Sequence, residues 1–379
     1  MISNERMKEI VLAIANNQSL EAEDDISDIC KVFKDHSLLN QLYNVYHLEY
    51  LKKYYLSGIL VSQYQDSIIE EIKHIFNENG IDFIFLKGSF IRQFYPDYFM
   101  RLMGDIDVLV RAQDVKRASE LLLNYKFESE KPIQSYNFEK LDEFGHHIEF
   151  KKNNVIVELH HKLFSDKFSW TSYFDAPWNY AKNKKNHEYE FDSTFFYLFQ
   201  IGHLVKHMYS FGAGIRPYID FYYMLKEYPV NMDELMPVAK DLKLDKFFNS
   251  VLNVVDYMFD FAPYEYTKMN YLDKYIAHII ESGVHGHSSN NSNNVYANIM
   301  AREKKSKFKF YLQLLFPNRK IMKVYYPYLE KHPILFPIAR VQRVFTCVFV
   351  KRKKIKKVEN SIMQRNELIK IYDEIGLNQ

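Results

Sequence analysis

Three acidic residues in two short apolar segments have the types and spacing of a divalent-metal site. Asp105 and Asp107 belong to the segment Asp-Ile-Asp-Val-Leu-Val, and Glu158 to Val-Ile-Val-Glu-Leu. Residues two apart on a β-strand point to the same face, so the Asp105 and Asp107 carboxylates would lie side by side. Adjacent carboxylates repel each other unless a cation lies between them. Because Mg²⁺ takes oxygen ligands and leaves positions for water and phosphate, the pattern predicts a Mg²⁺ or Mn²⁺ site.

Glu158, on a neighbouring strand, would complete a two-metal site. In such a site one metal lowers the pKa of an attacking hydroxyl, and the other holds a triphosphate and neutralises the leaving group. We therefore predict Asp105, Asp107 and Glu158 as catalytic residues and metal ligands. The predicted reaction moves a nucleoside monophosphate from an NTP to a hydroxyl acceptor, which is a small molecule, a sugar or a protein.

A matching phosphate-binding segment is predicted at Lys87-Gly88-Ser89. It follows the apolar run 83–86, which is typical of a strand, and opens a helical segment. Gly88 permits close backbone approach, Ser89 can cap the helix, and free N–H groups at a helix N-terminus attract phosphate. Lys87 either binds phosphate or pairs with a nearby acid. An isolated Asp-x-Asp or Gly-Ser is most often structural; the combination, in this order and with a third acid downstream, favours function.

The elements that must position these residues follow from hydrophobic periodicity. Helical spacing extends from Glu5 to about Glu78, where Asn79-Gly80 is a typical stop, and returns from about Asp192 to the end. Between them we predict a helix over 114–125 and strands over 83–86, 106–110, 147–151 and 155–159, with a hairpin turn at Asn153-Asn154. The predicted fold class is α+β: an α/β nucleotidyltransferase core with a small mixed sheet, flanked by helices. The predicted domains are a helical N-terminal segment (1–65), the catalytic domain (66–190) and a helical C-terminal domain (191–379).

The segments that carry this chemistry resemble an uncharacterised bacterial nucleotidyltransferase family of the DNA-polymerase-beta-like superfamily, often found beside polysaccharide or natural-product genes. The family pattern is Leu-Lys-Gly-small, then Tyr-Pro, then Arg-x-x-x-Asp-φ-Asp-φ-φ-Val. The matching positions are Leu86, Lys87, Gly88, Ser89, Tyr95, Pro96, Arg101, Asp105, Ile106, Asp107, Val108, Leu109 and Val110. A later strand ending acid-Leu-His matches Glu158, Leu159 and His160, with Glu where the family often has Asp. The resemblance implies a reaction class and no particular substrate.

A second family element, a helix with two histidines followed by a Gly-rich turn, Arg and Asp, matches His203, His207, Arg216 and Asp220. These residues either line the nucleotide cleft or form a buried structural network. The spacing of His203 and His207 places both on one helix face, but no third zinc ligand is evident nearby. The predicted nucleotide-binding residues are Lys87, Gly88, Ser89, Arg101, His203, His207, Arg216 and Asp220. Arg101 contacts the triphosphate or has an exposed structural role, and His160 is expected near the metal site.

Composition limits the function classes. The 379 residues carry 50 Lys plus Arg against 48 Asp plus Glu, a net charge of +2, so nothing in the overall charge favours a specific nucleic-acid partner. Two distant cysteines, Cys30 and Cys347, match neither a zinc spacing nor a disulfide framework, which favours a reducing, cytoplasmic location. No window is apolar enough for a membrane helix, and the N-terminus is typical of an amphipathic helix and not of a signal peptide.

The tail from Arg302 to Lys357 is strongly basic. Such runs are usually solvated helix faces, but this one could contact an anionic membrane surface or a biosynthetic complex.

Two alternatives to an enzymatic function stay open. One is a degenerate nucleotidyltransferase fold that serves as a nucleotide-binding or regulatory module. The other is an interaction protein whose helical C-terminal half docks on a membrane-bound complex.

Overall fold

A computed structural model describes residues 2–165, 168–210, 212–283, 319, 322, 326–346 and 368–377. The chain folds into two compact units. The first contains residues 1–205 and 215–268, and the second contains residues 206–214 and 269–379. Most of the predicted basic tail lies outside the described residues, so its role stays a prediction.

A mixed β-sheet forms the centre of the first unit. Its strands are β1 (Phe83–Phe85), β2 (Asp105–Val110), β3 (Glu128–Ser129), β4 (His147–Lys152), β5 (Val155–His160), β6 (Ala181–Lys185) and β7 (Glu188–Phe191). Their order in the sheet is β3-β4-β5-β2-β1-β7-β6. β2 is parallel to β5 and β1 is parallel to β7, whereas the other neighbours are antiparallel. The predicted strands 83–86, 106–110 and 155–159 share this sheet, which confirms the predicted fold class.

Helices flank the sheet on both sides in sequence, as predicted. In chain order they are α1 (Asn4–Asn16), α2 (Ile26–Asp35), α3 (Leu42–Tyr46), α4 (Glu49–Glu78), α5 (Lys87–Ile91), α6 (Val115–Asn124), α7 (Ser193–Ser210), α8 (Arg216–Glu227), α9 (Met232–Asp241), α10 (Asp245–Phe259), α11 (Leu272–Ser282), α12 (Tyr328–Lys331) and α13 (Phe336–Phe345), and residues 368–374 are also helical. α4 passes without a break through residue 65, where the N-terminal segment was expected to end. In the described part of the chain, no helix combines the length and the apolar character needed to cross a membrane.

The two faces of strand β2 differ: one packs into the hydrophobic core, and the other carries the predicted catalytic aspartates. Ile106, Val108 and Val110 are completely buried and belong to the core cluster that also contains α4 and α6 residues, including Ile72 and Leu122. Since side chains alternate along a strand, packing these three residues against the helices turns the intervening residues to the opposite face. The acidic residues of β2 therefore share one face of the sheet because their neighbours form its core.

The β4–β5 hairpin sets the register of the second site strand. Asn153 and Asn154 both have positive φ, 48° and 65°, as a two-residue type I′ turn requires, and asparagine tolerates this conformation. The predicted hairpin is therefore confirmed. The turn pairs Glu149 with Glu158 and His147 with His160 across the two strands.

Candidate functional site

Two of the predicted catalytic carboxylates face each other across the parallel pair β2–β5. Asp107 and Glu158 are register partners, while Asp105 is opposite Ile156. Register partners lie on the same face of a sheet, so the three acids project from one side. Asp107 is only 2% exposed, and the Glu158 side chain is 17% exposed. The structure thus brings the three acids to one face of adjacent strands.

A lysine supplies positive charge between two of these carboxylates. Lys87 Nζ lies 2.6 Å from Asp107 Oδ1 and 4.0 Å from Glu158 Oε2. Lys87 lies two residues after the end of β1 in a left-handed conformation (φ 46°), and the Leu86 amide donates to the Asp107 carbonyl at 3.0 Å. Of the two roles considered for Lys87, this geometry corresponds to pairing with a nearby acid.

His160 completes the cluster and was missing from the predicted catalytic set. Its Nε2 lies 2.8 Å from Asp107 Oδ1 and 3.1 Å from Glu158 Oε2, and the residue is fully buried. The sequence contained a signal for this contact, because residues 158 and 160 of one strand must share a face. Applied to Glu158-Leu159-His160, that rule places the imidazole beside the acids.

The pKa values of Asp107 and Asp105 are shifted in opposite directions by their surroundings. Burial alone would raise the pKa of Asp107, but Lys87 and His160 outweigh it and hold that pKa well below its usual range. Burial opposes the charge of Lys87 as well, yet Asp107, Glu158 and Asp105 raise its pKa. Asp105 differs, because burial and then the charge of Asp107 raise its pKa to about 6. Asp105 therefore has too little positive charge nearby to offset its burial and the charge of Asp107.

The donor set fits a divalent cation. Ligand atoms of Asp107, Glu158 and His160 lie within 4.8 Å of one another, and Asp105 lies on the same face. Carboxylate oxygens suit Mg²⁺ and Mn²⁺. Burial and then the charge of Asp107 raise the pKa of Asp105, and a bound cation would offset that negative charge.

The Lys87-Gly88-Ser89 turn packs closely against the segment before β2. A Cβ on Gly88 would lie 3.1 Å from Met103 Cγ and 3.4 Å from two Arg101 guanidinium nitrogens. The prediction that Ser89 caps the helix is wrong, because α5 already begins at Lys87 and its N-cap is Leu86. Ser89 Oγ is buried and has no hydrogen-bond partner among the described residues.

Arg101 and Asp220 form a buried ion pair close to this turn. Arg101 Nε lies 2.6 Å from Asp220 Oδ1, and the Tyr95 hydroxyl donates to the same oxygen at 2.6 Å. Arg216 is nearby, with Nη1 3.5 Å from the Leu102 carbonyl; burial and then the charge of Arg101 lower its pKa to about 10. Arg101 is therefore not exposed, and with Asp220 it has the contacts of the buried network that the sequence left open.

The two predicted histidines of α7 belong to different units. His203 lies in the first unit, partly buried, with its ring centroid 6.2 Å from that of Phe199. His207 lies in the second unit, where its carbonyl accepts a hydrogen bond from the Gly212 amide at 3.1 Å. Their assignment to nucleotide binding stays a prediction.

Comparison with known proteins supports the resemblance read from the sequence. A family model described as an uncharacterised nucleotidyltransferase matches residues 28–260, more than half of the chain. The matched region includes the whole sheet, the three carboxylates and the Arg101–Asp220 pair. Searches of curated proteins and of solved structures find no match. With the match over residues 28–260, the chain belongs to this family of uncharacterised nucleotidyltransferases.

Proposed function

We propose that the protein is a metal-dependent nucleotidyltransferase, which moves a nucleoside monophosphate from an NTP to an acceptor hydroxyl and releases pyrophosphate. The observation that carries this proposal is the register pairing of Asp107 with Glu158, with Asp105 on the same face. Membership of a nucleotidyltransferase family supports the reaction class. The acceptor is a small molecule, a sugar or a protein, and the proposed location is the cytoplasm.

Asp105, Asp107 and Glu158 would hold the Mg²⁺ or Mn²⁺ of this reaction. In the proposed two-metal site, the bound metals would lower the pKa of the acceptor hydroxyl and neutralise charge on the triphosphate and the leaving pyrophosphate. Lys87 and His160 both contact Asp107 Oδ1, and this fixes the Asp107 carboxylate before substrate arrives. Because the pKa of Asp107 is held low, that carboxylate is ionised and ready to act as a ligand.

We place the NTP phosphates beside the Lys87-Gly88-Ser89 turn, on the carboxylate face of the sheet. Lys87 carries a positive charge there, and the unpartnered Ser89 hydroxyl is a further polar group of the same turn. Arg101 would act indirectly, because its guanidinium packs against Gly88 and forms an ion pair with Asp220. In this arrangement Arg101 supports the turn that contacts phosphate.

A labelling assay tests the proposal. The full chain is incubated with each α-labelled NTP and Mg²⁺ or Mn²⁺, and pyrophosphate and labelled products are measured. We expect product with at least one NTP, and a loss of at least about 100-fold in Asp105→Asn and Glu158→Gln. The exposed acids Asp97 and Glu128 provide matched controls, Asp97→Asn and Glu128→Gln, which should keep full activity. Equal activity in all four variants would overturn the assignment of the carboxylates.

One observation favours a second candidate, a non-catalytic nucleotide-binding or regulatory module. The Lys87 ammonium already neutralises Asp107, as it would in a site that has lost its metal. The same experiment separates the two. Metal-dependent NTP binding without any pyrophosphate release, under all nucleotide and metal combinations, would favour the module.

A further inference from the structure

Three histidines form a second cluster at the end of the site strands. His147 begins β4 and is the register partner of His160, the last residue of β5, while His146 immediately precedes β4. The ring centroids are separated by 4.6 Å (His146–His147), 5.3 Å (His146–His160) and 5.2 Å (His147–His160). One ring nitrogen of each residue lies within 4.8 Å of the other two. The hairpin register thus brings three imidazoles close enough for one nitrogen of each to hold a shared metal ion.

Two of the imidazoles are oriented by carboxylates. His160 Nε2 contacts Asp107 and Glu158, and His147 Nε2 lies 3.5 Å from Glu158 Oε1. The opposite nitrogen, Nδ1, of both His147 and His160 is buried and has no hydrogen-bond partner among the described residues. A buried, unpaired ring nitrogen is costly, and native proteins rarely leave one without a reason.

The carboxylate contacts of the two Nε2 atoms are of the kind that metal-binding histidines make. Such a histidine typically contacts a carboxylate through one ring nitrogen, which fixes the ring, and ligates the metal through the other. Glu158 orients both His147 and His160 in this way, and Asp107 adds a second contact to His160. Three imidazole nitrogens suit zinc and its neighbours in the first transition row, whereas Mg²⁺ requires oxygen ligands.

We propose that His146, His147 and His160 bind a transition-metal ion of the zinc class, Zn²⁺, Co²⁺ or Ni²⁺, at a site adjoining the carboxylates. Three protein ligands leave a fourth position open to water or to a ligand group. The proposal does not depend on the transferase activity, because it concerns binding by a different donor set. His160 belongs to both sets, so occupation of the histidine site would directly affect the imidazole that contacts Asp107 and Glu158.

Zinc binding to the metal-free full chain tests the proposal. Calorimetric titration and metal analysis after dialysis should give a site that excess Mg²⁺ does not displace. His146→Ala and His147→Ala should each raise the Kd for Zn²⁺ by at least about 100-fold, more than the loss of an outer contact would cause. His74, exposed on α4, provides the matched control: His74→Ala should leave the Kd unchanged. A wild-type protein that binds no Zn²⁺, or binds it equally in His146→Ala, would overturn the site.

A second measurement distinguishes loss of the metal site from misfolding of a variant. Co²⁺ bound at a site of low coordination number gives visible absorption bands, which should appear in the wild type and disappear in the gentler variant His146→Gln. Far-ultraviolet circular dichroism of metal-free His146→Gln should match the wild type. If Asp107→Asn abolishes the Co²⁺ bands while His146→Gln retains them, the ion occupies the carboxylate set, and the histidine site is wrong.

Discussion

Arg101 and Asp220 make two parallel contacts, Nε to Oδ1 at 2.6 Å and Nη2 to Oδ2 at 2.8 Å, although 119 positions separate them in sequence. Their side chains are only 8% and 10% exposed. The pair joins the segment before β2 to α8, and burial would lower the pKa of Arg101 if Asp220 did not raise it. A buried charge that loses its partner is strongly destabilising, so the two residues depend on each other.

Asp220→Asn is expected to lower the free energy of unfolding by about 3–5 kcal/mol, because it leaves the Arg101 guanidinium buried without a counter-charge. Urea denaturation measures the effect, with the exposed Asp97→Asn as control. The double variant Arg101→Met/Asp220→Leu should lose less than the sum of the two single losses, since neither charge is then left alone. Additive losses would show that the pair is not coupled.

Two neighbouring acids should respond in opposite directions when the metal-free protein is studied. Asp107→Asn should lower the free energy of unfolding by about 3–5 kcal/mol, because the partly buried Lys87 ammonium loses its nearest carboxylate partner. Asp105→Asn should raise it at neutral pH by about 2–3 kcal/mol, because the pKa of Asp105 is raised from 3.8 to about 6. Urea denaturation with a chelator present gives both values.

The pH dependence of the Asp105 effect provides its control. A carboxyl whose pKa is higher in the folded state destabilises the fold once it ionises. The penalty therefore appears between the unfolded pKa, 3.8, and the folded pKa, about 6, and stays constant above. The stability difference between Asp105→Asn and the wild type should grow over this interval. A difference that is the same at pH values below and above it would contradict the assignment.

We expect the stability of the second unit to fall in acid because of His278, which lies in α11. Its side chain is buried, and burial lowers its pKa from 6.5 to about 4. Stability from the neutral imidazole is complete above pH 6.5 and is lost as pH falls towards 4, by about 3 kcal/mol. His278→Leu should remove this part of the pH dependence in urea denaturation. The exposed His74→Leu should not, and identical pH profiles for the two variants would refute the prediction.

Gly88→Ala should lower the free energy of unfolding by about 1–3 kcal/mol, because the new methyl group would crowd Met103 and the Arg101 guanidinium. Gly104 provides a matched control in the same segment. A Cβ at Gly104 meets nothing within 4 Å, so Gly104→Ala should be neutral or raise stability by about 0.4–1 kcal/mol. Thermal denaturation of both variants checks the contrast; equal losses would show that the close approach at Gly88 is unimportant.

Sequence patterns predicted the features of the fold that short-range interactions along the chain determine. The alternation in β2 placed Asp105 and Asp107 on one face, and Asn153-Asn154 indicated the hairpin, because both depend on a few adjacent residues. The sequence also placed Glu158 on a neighbouring strand, and the structure makes that strand adjacent and parallel to β2.

The contacts that remained open depend on tertiary packing. The partner of Lys87 could not be chosen from the sequence, because β1 and β2 had first to be paired before Lys87 could reach Asp107. At Asp105 burial and then the expected repulsion by Asp107 raise the pKa, whereas at Asp107 the charges of Lys87 and His160 outweigh burial. The Arg101–Asp220 pair spans 119 residues, a separation at which no spacing rule operates.

The parallel pairing of β1 with β7 has a consequence for synthesis of the chain. β1 is only three residues long and lies between β2 and β7. Its pairing with β7 is flanked by the contact between Asp82 and His187, which are 105 residues apart. Pairing over such separations is slow compared with local contacts, and chains emerge from the ribosome N-terminus first. The β7-facing edge of β1 therefore stays unpaired until β7 has been synthesised, and an unpaired strand edge promotes aggregation.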